Sequence, residues 1–131
     1  MIQANELRIG CIITASGRGG YCEVTGIKKQ KARDGYYFSV IVNDEKEDHL
    51  LEQQCFSIPL TPEILIGINE FERESELSWK HREFSSIRIV EGGDLFMLHK
   101  GSAGAICPIN SVHHLQNLIY ALTQTELNIK L

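Results

Sequence analysis

Short, mainly apolar stretches occupy most of the first 60 residues. They are rich in β-branched and aromatic residues and are bounded by Gly, Asp or Asn, which is typical of half-buried β-strands. The pattern predicts five strands, at residues 7–13, 21–27, 36–42, 49–52 and 55–60. Five such short strands favour a small twisted barrel, because closure hides the strand edges that would otherwise be exposed.

The pattern changes near residue 60. Thr61 followed by Pro62 is a good helix start, with Thr at the N-cap and Pro at the first helical position, and it predicts a short helix to about Phe71. The polar segment 73–76 predicts a turn. Three further strands are expected, at 77–82, 86–90 and 95–99, with a hairpin signal at 92–94 and an additional candidate strand at 105–109.

The last helix has the clearest periodicity. Ser111 can cap it, and apolar residues recur on one side at about 100° per residue. Those residues are Val112, Leu115, Leu118, Ile119 and Leu122. Residues 126–131 alternate and predict an edge strand. The fold class is therefore predicted as α+β: a small N-terminal SH3-like β-barrel, a short helix, a three-stranded antiparallel sheet and a C-terminal amphipathic helix. We expect one domain over 1–131, with subregions 1–60 and 61–131.

Composition agrees with a globular domain. The chain has 131 residues, of which 43% are hydrophobic, and its 13 Lys and Arg against 17 Asp and Glu give a net charge of -4. At this length a core forms without disulfides or structural metal, and no apolar run approaches the roughly 18 residues of a membrane span. The first residues carry no secretory signal or lipidation motif, so we expect a cytoplasmic protein that does not contact a membrane.

The cysteines are scattered along the chain. None forms a C-x-x-C pair or lies in a two-ligand knuckle with His, so reduced, apolar thiols are expected and neither a metal nor a cofactor is predicted. Two of them fall on neighbouring predicted strands and could pair on oxidation, although a cytosolic redox poise opposes this. The four are Cys11, Cys22, Cys55 and Cys107.

Three segments resemble a known group of sequences. They are Asn5–Gly10 (N-E-L-R-I-G), Ile58–Leu65 (I-P-L-T-P-E-I-L) and Val112–Thr123 (V-H-H-L-Q-N-L-I-Y-A-L-T). In this order they resemble small uncharacterised proteins encoded in Bacteroidetes genomes, often in prophages and other mobile elements. His114 stands where Gln is more usual. The resemblance implies a mobile-element setting and supplies no mechanism.

The uncharged polar side of the last helix is the first candidate site. Its amides, imidazole and phenol offer directional hydrogen bonds, and Tyr gives contact area at little entropic cost. These residues could bind a protein partner, or they could hydrogen-bond inside the protein. They are His113, Gln116, Asn117 and Tyr120.

The only basic cluster precedes a run of aromatic residues. Small barrels often bind nucleic acid through basic strands and aromatic platforms, although the negative net charge and a solvated hairpin tip argue for a simpler explanation. The residues concerned are Lys28, Lys29, Lys31, Arg33 and Tyr36.

A glycine-rich loop is a third and weaker candidate. Its backbone N–H groups and one guanidinium could hold an anion, but it lacks the features of a P-loop, so an ordinary hairpin loop is the simpler alternative. The loop is Ser16, Gly17, Arg18, Gly19 and Gly20.

Two further patterns have simple explanations. His81-Arg82-Glu83 contains the H-x-E step of zinc deaminases without the accompanying P-C-x-x-C, which indicates a chance match. Acids at 70, 72, 74 and 76 could mimic phosphates or hold a cation, but solvated turn residues are commoner.

The sequence contains no complete catalytic constellation. It favours a non-enzymatic accessory protein of a phage or mobile element that binds a host or phage protein, with an anti-defence role as one form of that function. A nucleic-acid-binding small barrel is the first alternative, and a nucleotide-binding sponge or an enzyme is the second. The sequence leaves the homo-oligomeric state open.

Overall fold

The structure, a computed structural model, describes residues 7–15, 21–29, 36–42, 46–51 and 54–129. The backbone divides into two units. The first unit comprises Met1–Ile58 and Ser111–Asn117, and the second comprises Pro59–Asn110 and Leu118–Leu131. The first turns of the last helix belong with the N-terminal residues, and the division into subregions 1–60 and 61–131 stays a prediction. Folding as a single domain stays a prediction.

The first unit is built on an antiparallel sheet of five strands in the order β4-β3-β2-β1-β5. The strands are β1 (Ile12–Ala15), β2 (Cys22–Lys29), β3 (Tyr36–Val42), β4 (Lys46–Leu51) and β5 (Cys55–Phe56). A register shift between Val24 and Gly26 interrupts the pairing of β2 with β3. All five predicted strands of this region are confirmed, with shifted ends.

The largest difference between predicted and observed strand ends is at the first strand. Residues 7–13 were predicted as strand, but the chain turns at Ile9 and Gly10, and β1 begins only at Ile12. Gly10 adopts φ 99°, a conformation that glycine tolerates because it has no Cβ. The glycine that looked like a member of the strand is the residue that lets the chain turn into it.

Alternating burial along β1 and β2 makes the core of the first unit. Inward residues of the strands and of the preceding turn are almost fully buried, as the period of two requires. The cluster is Leu7, Cys11, Ile13, Ala15, Cys22, Val24, Leu50 and Cys55.

The second unit begins with a short helix, α1 (Pro62–Ile66). Thr61 caps it, because its Oγ1 accepts a hydrogen bond from the Ile64 backbone N–H at 3.3 Å, and Pro62 stands in its first turn. The start is as predicted, but the helix ends at Ile66 instead of near Phe71. Gly67 follows at the C-cap, and glycine is a poor residue for continuing a helix.

The sheet of the second unit has five strands, in the order β10-β9-β8-β7-β6. They are β6 (Phe71–Ser75), β7 (Ser78–His81), β8 (Ile87–Gly92), β9 (Leu95–Lys100) and β10 (Ala105–Ile109). Four of them correspond to the three expected strands and the additional candidate at 105–109, and the fifth, β6, was not predicted. The chain is thus α+β with two antiparallel sheets, which confirms the predicted class. Within the described residues neither sheet closes into a barrel, so the SH3-like barrel stays a prediction. The predicted hairpin at 92–94 is confirmed, since Gly92 pairs with Leu95 and Gly93 has φ 62°.

The prediction of a turn at 73–76 is wrong. Residues up to Ser75 belong to β6, and the turn is formed by Glu76 and Leu77. The acids of β6 are neutralised across the sheet: Glu72 lies 3.5 Å from Lys80 Nζ, and Glu74 lies 3.0 Å from Arg88 Nε. Cross-strand charge pairs allow a strand as polar as this one to stand at an edge of the sheet.

The last helix, α2 (Val112–Thr123), is confirmed and supplies residues to both units. The tail differs from the prediction, because residues 124–129 contain no strand. Leu127 and Ile129 are buried as their alternation suggested, but the tail is held by a side chain, where Glu70 Oε1 accepts from the Asn128 N–H at 2.9 Å.

No helix in the described part of the chain is long and apolar enough to cross a membrane.

Candidate functional site

The start of α2 is fixed by Ser111. Its Oγ accepts a hydrogen bond from the His114 backbone N–H at 3.3 Å and lies 3.1 Å from Nδ1 of His113, so the predicted cap is confirmed. The next N–H, that of Val112, donates to the carbonyl of Ile58 at 2.9 Å. These contacts anchor the first turn of α2 within the first unit.

Gln116, in the second turn, hydrogen-bonds to the backbone next to β1. Its Oε1 accepts from the Ile12 N–H at 2.8 Å, and its Nε2 donates to the carbonyl of Gly10 at 3.0 Å. The side chain is 1% exposed. The amide thus forms hydrogen bonds with the backbone of the residues before and after Cys11. A residue of a parallel neighbouring strand would form the same pattern.

This contact closes a gap beside β1. On that strand β5 pairs only with Thr14 and Ala15, because β5 is two residues long. The backbone just before this pairing would otherwise present an unpaired donor and acceptor, which is costly when buried. The amide of Gln116 therefore takes the place of a longer β5.

Arg8 joins the same turn of α2. Its Nε donates to Oδ1 of Asn117 at 2.8 Å, and its Nη2 donates to the backbone carbonyl of Gln116 at 3.0 Å. The Cys11 thiol donates to the same Asn117 oxygen at 3.4 Å and accepts from the Arg8 N–H at 3.3 Å. The rigid fork of the guanidinium suits two acceptors one residue apart.

The predicted polar stripe is therefore largely turned inward. His113 and Gln116 are buried, while Asn117 and Tyr120 are half-buried. Of the two interpretations of the stripe, internal hydrogen bonding describes Gln116 and Asn117. A role in partner binding stays a prediction for this set.

All four cysteines lie in the described part of the chain, and none of them is joined in a disulfide. Cys11, Cys22 and Cys55 are buried in the core of the first unit, and Cys107 on β10 is half-buried. Among the described residues no group of three or more His, Cys, Asp or Glu side chains is arranged to hold a metal ion.

Two residues of the basic cluster, Lys28 and Lys29, lie at the end of β2. The backbone register pairs Lys28 with Tyr37 and Lys29 with Tyr36 at the ends of β2 and β3. Lys31 and Arg33 lie outside the described residues, as does the glycine-rich loop Ser16–Gly20. The nucleic-acid and anion sites consequently stay predictions.

A row of side chains on the outer face of the first sheet was not singled out from the sequence. Thr14 on β1 pairs with Phe56 on β5. On the other side of β1, Ile13 pairs with Cys22, so continuing this register by one residue places Tyr21 opposite Thr14. Tyr21 is 41% and Phe56 39% exposed. We call Tyr21, Thr14 and Phe56 the aromatic row. The signal was present, because each aromatic residue is next to a buried cysteine and strand residues alternate between faces.

The H-x-E motif has a structural role in the second unit. His81 ends β7 with its ring buried, and its Nδ1 accepts from the backbone N–H groups of Glu83 and Phe84 at 3.2 and 3.1 Å. Burial, partly opposed by the carboxylates of Glu83 and Glu70, holds the pKa of the His81 imidazole below its ordinary value. The motif shapes a turn, in agreement with a chance match to the deaminase pattern.

No family model, curated protein or solved structure matches this chain.

Proposed function

We propose that this chain is a non-enzymatic binding module that docks a protein partner on the aromatic row of its first unit. The observation that carries the proposal is the exposure of Phe56, which pairs with Thr14, and of Tyr21, which directly precedes the Cys22 that pairs with Ile13. Tyr and other large aromatic side chains are enriched at the centres of protein interfaces.

The underlying strands make the row a suitable docking surface. Each exposed ring is the chain neighbour of a nearly inaccessible core residue, Cys22 for Tyr21 and Cys55 for Phe56. Backbone positions on paired strands are fixed before binding, so little conformational freedom is lost on association. An aromatic side chain buries roughly 150–250 Å², so two rings can form the centre of an interface.

The proposal includes an SH3-like barrel for the first unit. It is supported by the strand order, in which β1 pairs with β2 on one side and with β5 on the other, while β2, β3 and β4 follow as a meander. The register shift at Val24 and Gly26 supports it further, because such irregularities bend strands at the corners of small barrels.

The biological setting that we propose is that of a phage or mobile-element accessory protein, with a host or phage protein as the partner and an anti-defence effect as one outcome. This part rests on the resemblance of the three sequence motifs. The aromatic row supplies the contact surface, and the motifs supply the setting.

The test is affinity purification from cells of the natural host, with quantitative mass spectrometry. A Tyr21→Ser, Phe56→Ser variant is compared with wild type and with Leu77→Ser, a control that removes a similarly exposed apolar side chain from the second unit. We expect a host or phage protein that is enriched by wild type and by the control but lost with the double variant, provided circular dichroism shows that all three are folded. Equal recovery by all three proteins contradicts the proposed surface.

Nucleic-acid binding is the second candidate, and the observed β2–β3 hairpin favours it. The hairpin brings the basic end of β2 beside the aromatic start of β3, with Lys28 opposite Tyr37. Such binding must weaken steeply with salt, because each neutralised phosphate releases counterions. Titration of fluorescent single-stranded and duplex DNA and RNA with wild type and with the Lys28→Glu, Lys31→Glu variant distinguishes the two functions. Salt-sensitive binding that is lost in this variant would replace the protein-partner proposal.

A further inference from the structure

His81 closes the turn between β7 and β8. Its ring is 2% exposed and lies between Phe71, in an edge-to-face contact with centroids 5.2 Å apart, and Phe84, at the same centroid distance. The ring cannot leave this position without disturbing both neighbours.

The hydrogen bonds of the ring determine which nitrogen carries its proton. Two backbone N–H groups, those of Glu83 and Phe84, point at Nδ1. An acceptor nitrogen must be unprotonated, so the proton of the neutral ring is on Nε2. A second proton can bind only to Nδ1. The protonated Nδ1 would be a donor, and it could no longer accept hydrogen bonds from the N–H groups of Glu83 and Phe84.

The turn is in contact with the next connection of the sheet. The carbonyl of Phe84 accepts from the Ile87 N–H at 2.9 Å, and the carbonyl of Ser86 accepts from the Gly101 N–H at 2.7 Å. Loss of the hydrogen bonds from Glu83 and Phe84 to His81 would thus weaken the contacts of the residues that precede β8, including the bond to Gly101 after β9.

We propose that His81 is a proton-operated latch: in its neutral form it holds the turn 82–86 closed, and uptake of a proton at Nδ1 opens that turn. This device is independent of the aromatic row and of the proposed binding function, since every residue in it belongs to the second unit.

In the folded protein the neutral form of the His81 ring is favoured in spite of the nearby carboxylates. Glu83 and Glu70 are the carboxylates that act on it, and both raise its pKa, but desolvation by burial outweighs them and the pKa is lowered from 6.5. The neighbouring cations are Lys80 on β7 and Arg82 directly after it, and both pair with Glu72. The open turn, in which the ring is hydrated, regains the ordinary pKa.

The direction of the pH effect follows from the difference between the pKa of His81 in the closed turn and its pKa in the open turn. Above the ordinary pKa both the open and the closed turn hold a neutral ring, and the closed form is fully favoured. Below it, the open turn takes up a proton first. The equilibrium constant for opening therefore rises by about tenfold for each unit by which the pH falls, until the pH reaches the lowered pKa of the closed turn.

Amide hydrogen exchange followed by NMR tests this latch on the full chain. We expect the protection of the Glu83 and Phe84 amides, corrected for the intrinsic exchange rate, to fall by about tenfold per pH unit on acidification below the ordinary His pKa. Amides in the centre of β8, such as that of Ile89, should keep their protection over this range. Unchanged protection of Glu83 and Phe84 contradicts the proposal.

His81→Asn is the matched variant, because Asn Oδ1 can replace Nδ1 as an acceptor but does not titrate. It should keep the turn closed and abolish the pH dependence, whereas His99→Asn on β9 should leave the pH dependence as in wild type. Should His81→Asn fail to fold, the ¹⁵N shifts of the wild-type ring decide the question. A neutral ring protonated on Nε2 that titrates together with loss of amide protection supports the latch, and a ring protonated on Nδ1 at neutral pH overturns it.

Discussion

The side-chain amide of Gln116 completes the edge of β1 at Ile12. Gln116 Oε1 accepts from the Ile12 N–H at 2.8 Å, while its Nε2 donates to the carbonyl of Gly10, so that one side chain satisfies a backbone donor and a backbone acceptor. A helix residue thereby does what a neighbouring strand does elsewhere in the sheet, and it ties α2 to residues more than 100 positions earlier in the chain.

Gln116→Met should lower the free energy of unfolding by about 2–4 kcal/mol, because it fills a similar volume but leaves a buried N–H and a buried C=O unpaired. Urea denaturation followed by circular dichroism measures this. A change below about 0.5 kcal/mol, the usual range of surface substitutions, would show that the amide contributes little.

Gln116→Glu tests the orientation of the same amide. A carboxylate can still accept from Ile12 but faces the Gly10 carbonyl with an oxygen, and it buries a charge. We expect strong destabilisation at neutral pH and partial recovery on acidification, relative to wild type at each pH, because a protonated carboxyl group regains a donor. Destabilisation that does not depend on pH would contradict the assigned orientation.

The contact between Arg8 and Asn117 should be energetically coupled. A double-mutant cycle with Arg8→Ala and Asn117→Ala is expected to give a coupling free energy of about 0.5–2 kcal/mol, since the bond at 2.8 Å joins a charged donor to a half-buried amide. Arg8→Lys should lose most of this coupling because one ammonium cannot match the two acceptors. Additive single substitutions would exclude a direct interaction.

Thiol labelling should separate the cysteines by burial. In the folded protein Cys107 should react first with Ellman's reagent, because Cys11, Cys22 and Cys55 are buried. Reaction of the buried three requires opening of the first unit, so their rates should be lower by at least about a thousandfold. Cys107→Ser removes the fast phase, and any fast reaction that persists in this variant contradicts the structure.

Gln124→Gly should stabilise the protein by about 0.5–1 kcal/mol. Gln124 follows α2 with φ 59°, in the left-handed region that favours glycine, and its N–H donates to the Tyr120 carbonyl at 2.8 Å. Gln124→Val, with a β-branched side chain, should be destabilising at the same position. Thermal unfolding of both variants measures the difference. Destabilisation by Gln124→Gly together with stabilisation by Gln124→Val would refute the assigned backbone conformation.

The stability of the whole protein should decrease on acidification through the range in which His81 takes up a proton. Because its pKa in the folded state is lowered from 6.5, its contribution is complete above 6.5 and is lost as the pH falls from there through the folded-state pKa. The difference in urea-denaturation free energy between wild type and His81→Asn, measured from pH 7.5 to 5, isolates this term from other titrating groups. A difference that is independent of pH contradicts it.

The sequence by itself determined the elements whose signals are local. The cap at Thr61, the hairpin at Gly93 and the periodicity of α2 depend on residues within a few positions of one another, and all three are confirmed. Runs of β-branched and aromatic residues also located β2 and β3, whereas β1 and β5 overlap the predicted strands at only two residues each. These features follow from backbone preferences and from the period of each element.

Only the tertiary structure decided what the polar residues do. The sequence left open whether the amides of α2 bind a partner or form hydrogen bonds inside the protein, because nothing in their neighbourhood supplies partners. In the structure their partners are Arg8, Gly10, Cys11 and Ile12. The acids of β6 looked like a turn because the cations that neutralise them, such as Arg88, lie on other strands. A polar side chain is satisfied by whichever donor or acceptor the fold brings within about 3 Å, and that choice depends on pairings between distant segments that local sequence does not encode.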